Sequence, residues 1–332
     1  MGKQRIHYWD NAKAALILLV VMGHFLLPLE NKMGGGVQAT YWWIYLFHMP
    51  AFVFVSGVFS KGYVEKDGKE YRLTGFITLY LIFTVLLWVL QFFFKKTINF
   101  SLLLSTSGAP WYMLAMFFWY LILPYASRLK PMYAILASIG ISLLAGAYKD
   151  CGDFISISRI IVFFPFFIGG YYCDMNIVKR IKPWMRVCGG VILVFVYVIL
   201  LVKGNNFLQY LDIAYGDESY ASIGVSTVEG MLVRSAWYVI AVIMTISFLV
   251  VVPDKKKRWT RIGEHTLGIY IVHRLVREVL SGFGLYMFVP ETTVITIPVF
   301  LLVSLLVVYF ASSDWIHNHV NRAFHLDGVL RK

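Results

Sequence analysis

Long apolar stretches separated by short polar segments dominate the sequence. The first of them, Ala14–Leu29, is almost wholly apolar and follows a polar N-terminal segment. A helix needs about 20 apolar residues to span a bilayer, and the 332-residue chain contains ten stretches that approach this length. The predicted spans are residues 12–29, 40–60, 73–94, 111–128, 131–148, 157–175, 184–203, 231–252, 263–281 and 292–313.

This pattern predicts an all-α polytopic membrane protein, a bundle of about ten transmembrane helices that forms one integral-membrane domain over residues 1–332. The composition favours the same class, since 59% of the residues are hydrophobic and 14% are charged. Soluble globular proteins contain about 45–50% apolar and about 25% charged residues. The least apolar of the spans is 263–281, which carries several charged and histidine side chains.

The lysines and arginines between the spans alternate in density from one loop to the next. If the N-terminus is cytoplasmic, the inner segments hold 19 of them and the outer segments hold 5. The positive-inside rule therefore predicts that both termini are cytoplasmic in a multi-pass protein of the plasma membrane. Because topology explains the net charge of +12, we expect no nucleic-acid partner.

Two histidines, His24 and His48, lie deep in the first two spans. Imidazoles are costly in hydrocarbon unless they face a polar interior. Lys13 and His24 are eleven residues apart, which puts them on one helix face about 16 Å apart along the axis. Asp10 lies one turn before Lys13 on nearly the same side. Two simpler interpretations remain open: Lys13 snorkels at a helix end, and His24 forms a hydrogen bond between helices.

Further polar side chains lie within or at the start of later spans. Arg159 and Arg234 lie near the predicted outer ends of their helices, and Trp111 opens the fourth span. Arginines at such depth usually serve a ligand, a substrate path or an ion partner. Interfacial anchoring of the two arginines and a membrane-boundary aromatic belt at Trp111 remain alternatives.

The ninth span is the most polar of the set. It carries His273 and Arg277 four residues apart, and on another face Arg274 and Glu278, which are also four residues apart. Pairs at this spacing meet along a helix. The span is therefore either part of a functional site or stabilised by an internal salt bridge.

The longest predicted outer segment covers residues 204–230 and is polar, aromatic and mildly acidic. Such a segment favours a carbohydrate-facing lid, and a solvated connector is the alternative. The three cysteines, Cys151, Cys173 and Cys188, have no metal-ligand spacing. We therefore expect no metal site and no disulfide framework.

Several motifs occur in a fixed order along these spans and together resemble a known family. They are Tyr8–Lys13 leading to Val21–His24, Phe47–Phe52 leading to Val55–Gly57, Ala109–Leu114, Arg159 with Phe164–Tyr172, and Gly263–His273. In this order they resemble the membrane-bound acyltransferase-3 family, most closely its branch of fucose 4-O-acetylase-like O-acetyltransferases.

The resemblance implies a bacterial plasma-membrane enzyme with ten core helices. Such an enzyme would move an acetyl group from cytoplasmic acetyl-CoA, its co-substrate, to a hydroxyl of an outward-facing cell-surface glycan or its lipid-linked precursor. The family's first-helix motif is a basic residue, commonly Arg, then ten residues, then His; here it is Lys13 and His24. Lysine keeps the charge of arginine and lacks its bidentate fork.

On this hypothesis His24 and His48 are the catalytic residues, with His24 as general base. Lys13 and Asp10 bind acyl-CoA. The residues expected to hold substrate or stabilise an oxyanion are Arg159, Arg234, His273, Arg277 and Trp111. A proton-coupled transporter or flippase for a glycan or small polar solute is the alternative, because it would use the same histidines as a proton relay. The partners are the bilayer, the glycan acceptor and acyl-CoA, and a homodimer is left open.

Overall fold

The computed structural model describes residues 6–64, 70–96, 110–148, 156–204, 207–289 and 292–325. Within these ranges the chain is helical and contains no strand. The longer helices are α1 (His7–Leu26), α2 (Gly35–Tyr45), α3 (His48–Val58), α4 (Glu70–Lys95), α5 (Trp111–Ala126), α6 (Pro131–Ala145), α7 (Ile157–Tyr172), α8 (Pro183–Lys203), α9 (Thr227–Val251), α10 (Thr266–Gly282), α11 (Thr293–Ala311) and α12 (Asp314–Phe324). Shorter helical turns are Leu27–Leu29, Glu30–Met33, Lys61–Val64, Met175–Arg180, Leu208–Leu211, Asp212–Tyr215, Thr260–Glu264 and Leu285–Met287.

The predicted all-α membrane class is confirmed, whereas the number of spans stays a prediction. Six helical stretches in the described ranges are long and apolar enough to cross a bilayer: His7–Leu29, Gly35–Val64, Tyr71–Lys95, Pro183–Lys203, Thr227–Val251 and Thr293–Ala311. The predicted spans 111–128, 131–148 and 157–175 fall on α5, α6 and α7, of 16, 15 and 16 residues. At 1.5 Å per residue these helices are about 23–24 Å long, shorter than the hydrocarbon core of about 30 Å.

The second predicted span, 40–60, is interrupted at Leu46 and Phe47, between α2 and α3. Pro50 accounts for the interruption, because it has no N–H to donate to the Leu46 carbonyl and its ring crowds that carbonyl. Phe47 N instead donates to Ile44 O, three residues earlier (3.3 Å), which makes a tighter turn than an α-helix. The α-helical hydrogen-bond pattern resumes where Ala51 N donates to Phe47 O (2.8 Å). His48 is thereby the first residue of α3, at a break inside an apolar stretch.

The described residues fall into two compact units. The first is drawn from residues 1–55, 174–208 and 239–317, and the second from residues 56–173, 209–238 and 318–332. In the first unit α1 is the central helix and packs against α2, α10, α11 and the turn Thr260–Glu264. Its apolar side chains are buried on almost every side, as expected of a core helix, including Leu16, Ile17, Val20 and Val21.

Side chains at the start of α1 fix this helix to the segment after α9. The Asn11 amide group is fully buried and donates to the carbonyls of Pro253 (2.8 Å) and Lys255 (2.9 Å). The Thr260 hydroxyl donates to Asn11 Oδ1 (2.6 Å). Buried polar groups are stable when their hydrogen bonds are satisfied in this way. The network holds the basic segment 253–260 against the N-terminal end of α1.

The second unit packs α4, α5, α6 and α7 around an aromatic core. Trp119 donates its indole N–H to Ile160 O (2.8 Å) and stacks on Phe167 at 5.2 Å between ring centroids. Gly57 packs directly on the Phe167 backbone carbonyl, where a Cβ atom would overlap that oxygen. The C-terminal end of α3 can therefore approach α7 this closely only because residue 57 has no side chain.

We expect Gly57→Ala to destabilise the protein by about 1–3 kcal/mol, because the added methyl group meets backbone atoms that cannot move aside. The matched control is Gly140→Ala in α6, where a Cβ would meet open space. Alanine is better than glycine in a helix by up to about 1 kcal/mol, so the control should keep or raise the melting temperature. Thermal unfolding in detergent measures both variants, and equal melting temperatures would contradict the packing described.

Candidate active site

Ionisable side chains from α1, α3 and α10 gather around the C-terminal half of α1 in the first unit. They are His24, His48, His273, Arg274, Arg277 and Glu278. His48, His273, Arg274 and Arg277 all lie within electrostatic range of the His24 ring. The structure therefore brings together four of the sequence-predicted site residues: His24, His48, His273 and Arg277.

His24 and His273 are joined by a direct contact between their rings. His24 Nδ1 lies 2.7 Å from His273 Nε2, and the ring planes are 15° apart. The other nitrogen of His273, Nδ1, lies 2.9 Å from the backbone carbonyl of Ile269, one turn earlier in α10. His273 is fully buried, with 0% of its surface exposed. Both of its ring nitrogens are thus used within the protein.

His48 lies at the break between α2 and α3 and is also buried. Its Nδ1 is 2.8 Å from the Ile44 carbonyl, and its ring meets the Tyr45 ring edge-on at 4.8 Å. Tyr45 in turn covers Gly23, where a Cβ would lie 3.0 Å from the Tyr45 ring. A glycine directly before His24 therefore allows the Tyr45–His48 pair to approach α1.

The charged residues of α10 differ in their pairing. Arg274 Nη1 lies 2.8 Å from Glu278 Oε1, so the internal salt bridge considered for this span is present. Arg277 is within hydrogen-bonding reach of the Tyr286 hydroxyl, and that hydroxyl donates to Phe25 O (3.1 Å). Arg277 Nε is buried and has no hydrogen-bond partner among the described residues. A buried donor of this kind is costly unless a ligand completes it.

Lys13 and Asp10 form an ion pair at the opposite end of α1, with 2.9 Å between Nζ and Oδ1. The Asp10 carboxylate is buried, and one fifth of the Lys13 side chain is exposed. Helix geometry separates Lys13 from His24 by about 16 Å. These two acyl-CoA-binding candidates therefore lie away from the imidazoles, on the same helix.

The remaining candidates lie in the second unit, where Arg159 is engaged on several sides. Its guanidinium forms an ion pair with Asp217, donates from Nε to Tyr215 O (3.1 Å) and lies over the Trp111 ring at 5.4 Å. Gly216, between the two partners, has φ +78°, a conformation that favours glycine. Arg159 thus holds the turn after Asp212–Tyr215, and the Trp111 ring packs against Arg159.

Arg234 is fully enclosed and holds the same segment from α9. Its Nη1 donates to Ser142 O and its Nη2 to Glu218 O, both at 3.0 Å. The guanidinium lies 4.8 Å from the centre of the buried Tyr220 ring, and the Tyr220 hydroxyl donates to Leu143 O (2.8 Å). The segment is therefore packed around Tyr220, whereas residues 221, 222, 224 and 226–229 are exposed. Both the lid and the solvated connector stay predictions.

Some residues of these clusters were not among the predicted site residues. Tyr45 lies three residues before His48, so helical spacing offered a signal for it. Asn11 lies inside the first motif beside Asp10, but its buried hydrogen bonds depend on segments more than 240 residues away. Tyr286 and Asp217 lie in turns, where no periodicity identifies a partner.

Two of the three cysteines, Cys173 and Cys188, lie in the part of the chain that the structure describes, and neither forms a disulfide bond there. Cys151 lies outside the described residues. Among the side chains that the structure describes, no group of three or more His, Cys, Asp or Glu residues is arranged to hold a metal ion.

The apolar helices are those of a multi-pass membrane protein. A family model described as an acyltransferase domain matches residues 6–313 of the chain. The chain therefore belongs to the acyltransferase-3 family. It is also similar to Nodulation protein NolL of Mesorhizobium japonicum, with 27% identity over 227 residues that cover 64% of this chain. The aligned region spans 57% of the length of that relative. No solved structure matches the chain.

Replacing Arg234 tests whether it holds the segment 207–226. We expect Arg234→Met to release the Ser142 and Glu218 carbonyls at a cost of about 1–3 kcal/mol, and to speed amide hydrogen exchange in residues 207–226. Leu232→Met, on an exposed face of the same helix, is the control and should leave exchange unchanged. Wild-type exchange rates in Arg234→Met would contradict a holding role.

Proposed function

We propose that the protein is a transmembrane O-acetyltransferase. It moves an acetyl group from cytoplasmic acetyl-CoA to a hydroxyl of an outward-facing cell-surface glycan or its lipid-linked precursor, in a bacterial plasma membrane with both termini in the cytoplasm. Membership of the acyltransferase-3 family supports acyl transfer. The observation that carries the proposal is the contact between His24, on the membrane-length helix α1, and the buried His273 of α10, beside the incompletely bonded Arg277.

The donor enters, on this proposal, at the Lys13 end of α1. The phosphates of acetyl-CoA are too costly to desolvate in the bilayer, so they stay at the cytoplasmic face. Exposed Lys255, Lys256, Lys257 and Arg258 follow α9, and the Asn11 network fixes their segment to the start of α1. Lysine and arginine bind phosphate by charge-assisted hydrogen bonds. The thin pantetheine arm then carries the thioester about 16 Å along α1 to His24.

The chemical step is a direct transfer with His24 as general base. His24 accepts the proton of the acceptor hydroxyl as its oxygen bonds to the thioester carbonyl carbon. The carbon–sulfur bond then breaks, and the departing CoA sulfur takes up the proton from His24. The products are the acetyl ester and CoA with its thiol restored.

Arg277 is the residue best suited to stabilise the oxyanion of the tetrahedral intermediate. Its buried Nε–H is a donor without a partner in the described part of the chain, and preorganised donors in a dry site strongly favour developing negative charge. His48 suits a different role. Its Nδ1–H donates to the Ile44 carbonyl, so the neutral ring offers Nε2 as an acceptor, which would orient the sugar hydroxyl.

Arg159, Arg234 and Trp111 contribute indirectly on this proposal. Arg159 is paired with Asp217, and Arg234 donates to two carbonyls. They therefore keep the segment around Tyr220 packed within the second unit. We do not assign either arginine a bond to the reacting acetyl group.

Replacing His24 tests the assignment of the base. We expect His24→Ala to reduce acetyl transfer by at least about 100-fold, the lower range of general-base effects. Transfer is measured as release of CoA and as label in the glycan, with labelled acetyl-CoA and membranes that hold the protein. The control is His319→Ala, because His319 is exposed on α12. Substantial transfer by a folded His24→Ala protein would contradict the role.

Reconstitution tests the reaction class. We expect purified protein in liposomes to release CoA from labelled acetyl-CoA only when an acceptor glycan is supplied. Because acetyl-CoA itself stays outside, label should appear on acceptor enclosed within the vesicles. Flux of a solute without any CoA release would favour the transporter instead.

A further inference from the structure

The hydrogen-bond directions in the His24–His273 pair follow from the contact of His273 with the backbone. The Ile269 carbonyl is an acceptor only, so the contact of 2.9 Å requires His273 Nδ1 to carry the hydrogen. A neutral His273 then has a lone pair on Nε2. The backbone of α10 therefore fixes His273 Nδ1 as the donor and leaves His273 Nε2 as an acceptor.

The protonation of His273 in turn determines which nitrogen of His24 carries its hydrogen. Since His273 Nε2 is an acceptor, the 2.7 Å contact requires His24 Nδ1 to be the donor. A neutral His24 then carries its hydrogen on Nδ1 and its lone pair on Nε2. The near-parallel ring planes, 15° apart, suit this in-plane contact.

We propose that His273 is a positioning residue that fixes the tautomer of His24 and makes His24 Nε2 the basic nitrogen. The consequence for turnover rests on the proposed function, whereas the tautomer itself does not. This role replaces the substrate contact expected for His273, because the ring is fully buried and both of its nitrogens are occupied. Which ring nitrogen of a histidine is protonated is set by the hydrogen bond that the other nitrogen makes.

The arrangement has a chemical advantage for a base in an apolar interior. When His24 Nε2 accepts a proton, the Nδ1–H bond to His273 persists and strengthens, since its donor is then charged. In a Ser-His-Asp triad a carboxylate performs this task. Here a neutral imidazole does so, beside a cluster that holds two guanidiniums, Arg274 and Arg277, and one carboxylate, Glu278.

Nitrogen NMR of the full chain in lipid nanodiscs tests the tautomer directly. With ¹⁵N-labelled histidine, the signals of His24 are those that disappear in His24→Gln. We expect the wild-type protein to show His24 Nδ1 protonated and Nε2 unprotonated. In His273→Leu, which removes the acceptor, the ring should take its hydrogen on Nε2. His24 with its hydrogen on Nε2 in the wild type, or an unchanged tautomer in His273→Leu, would overturn the proposal.

Kinetics test whether the tautomer matters for turnover. We expect His273→Leu to lower kcat by about 10-fold or more with little change in the KM for acetyl-CoA, since a transition-state interaction is lost and donor binding is kept. In His273→Gln the side-chain oxygen replaces the acceptor, so kcat should recover to within about 3-fold of the wild type. Equal losses in both variants would contradict a positioning role and indicate packing alone.

The two experiments separate this inference from the proposed function. If His24→Ala retains transfer while the wild-type NMR shows the Nε2 lone pair, the acetyltransfer mechanism fails and the tautomer assignment stands. If His273→Leu does not fold, the wild-type spectrum and His273→Gln still decide the assignment. His319→Gln is the control for both measurements, because His319 is exposed on α12 and should leave the His24 signals unchanged.

Discussion

The structure depends on one constraint, the free-energy cost of placing a polar side chain in an apolar interior. Each imidazole, guanidinium and amide that enters an apolar helix needs a partner, since an unpaired polar group in hydrocarbon costs several kcal/mol. The partners here are mostly backbone carbonyls. Ile44 and Ile269 each accept from a histidine, and Ser142 and Glu218 accept from Arg234. Carbonyls accept and never donate, so they fix the hydrogen positions of the side chains that reach them.

The site depends on helices that deviate from a simple spanning rod. Pro50 breaks the second apolar stretch and leaves His48 at a helix start, where its ring can turn back to the Ile44 carbonyl. α10 is a short and polar helix of 17 residues, and one of its faces supplies His273 while another pairs Arg274 with Glu278. Functional groups in membrane proteins are commonly found on broken or polar segments of this kind.

Sequence reasoning identified the class and many of the candidate residues, and it failed where long-range geometry decides. The all-α membrane class and the family follow from apolar run length and ordered motifs, because both are local properties of the chain. Helical spacing also predicted the Arg274–Glu278 pair. The His24–His273 contact could not be predicted, since 249 positions separate the residues and no periodicity relates two helices. The positioning role that we propose for His273 therefore differs from the substrate or oxyanion contact that the sequence predicted.

The Asn11 network has a consequence for the choice of donor. It joins the basic segment 253–260 to the start of α1 through three hydrogen bonds. If this end holds the donor phosphates, as proposed, helix rise sets their distance from His24 at about 16 Å. In the proposed reaction this fixed distance would select donors by the length between their phosphates and their acyl group. In the proposed reaction, a donor whose negative charge adjoins its acyl group would be too short to reach both ends at once, whereas a long, slender carrier would reach both.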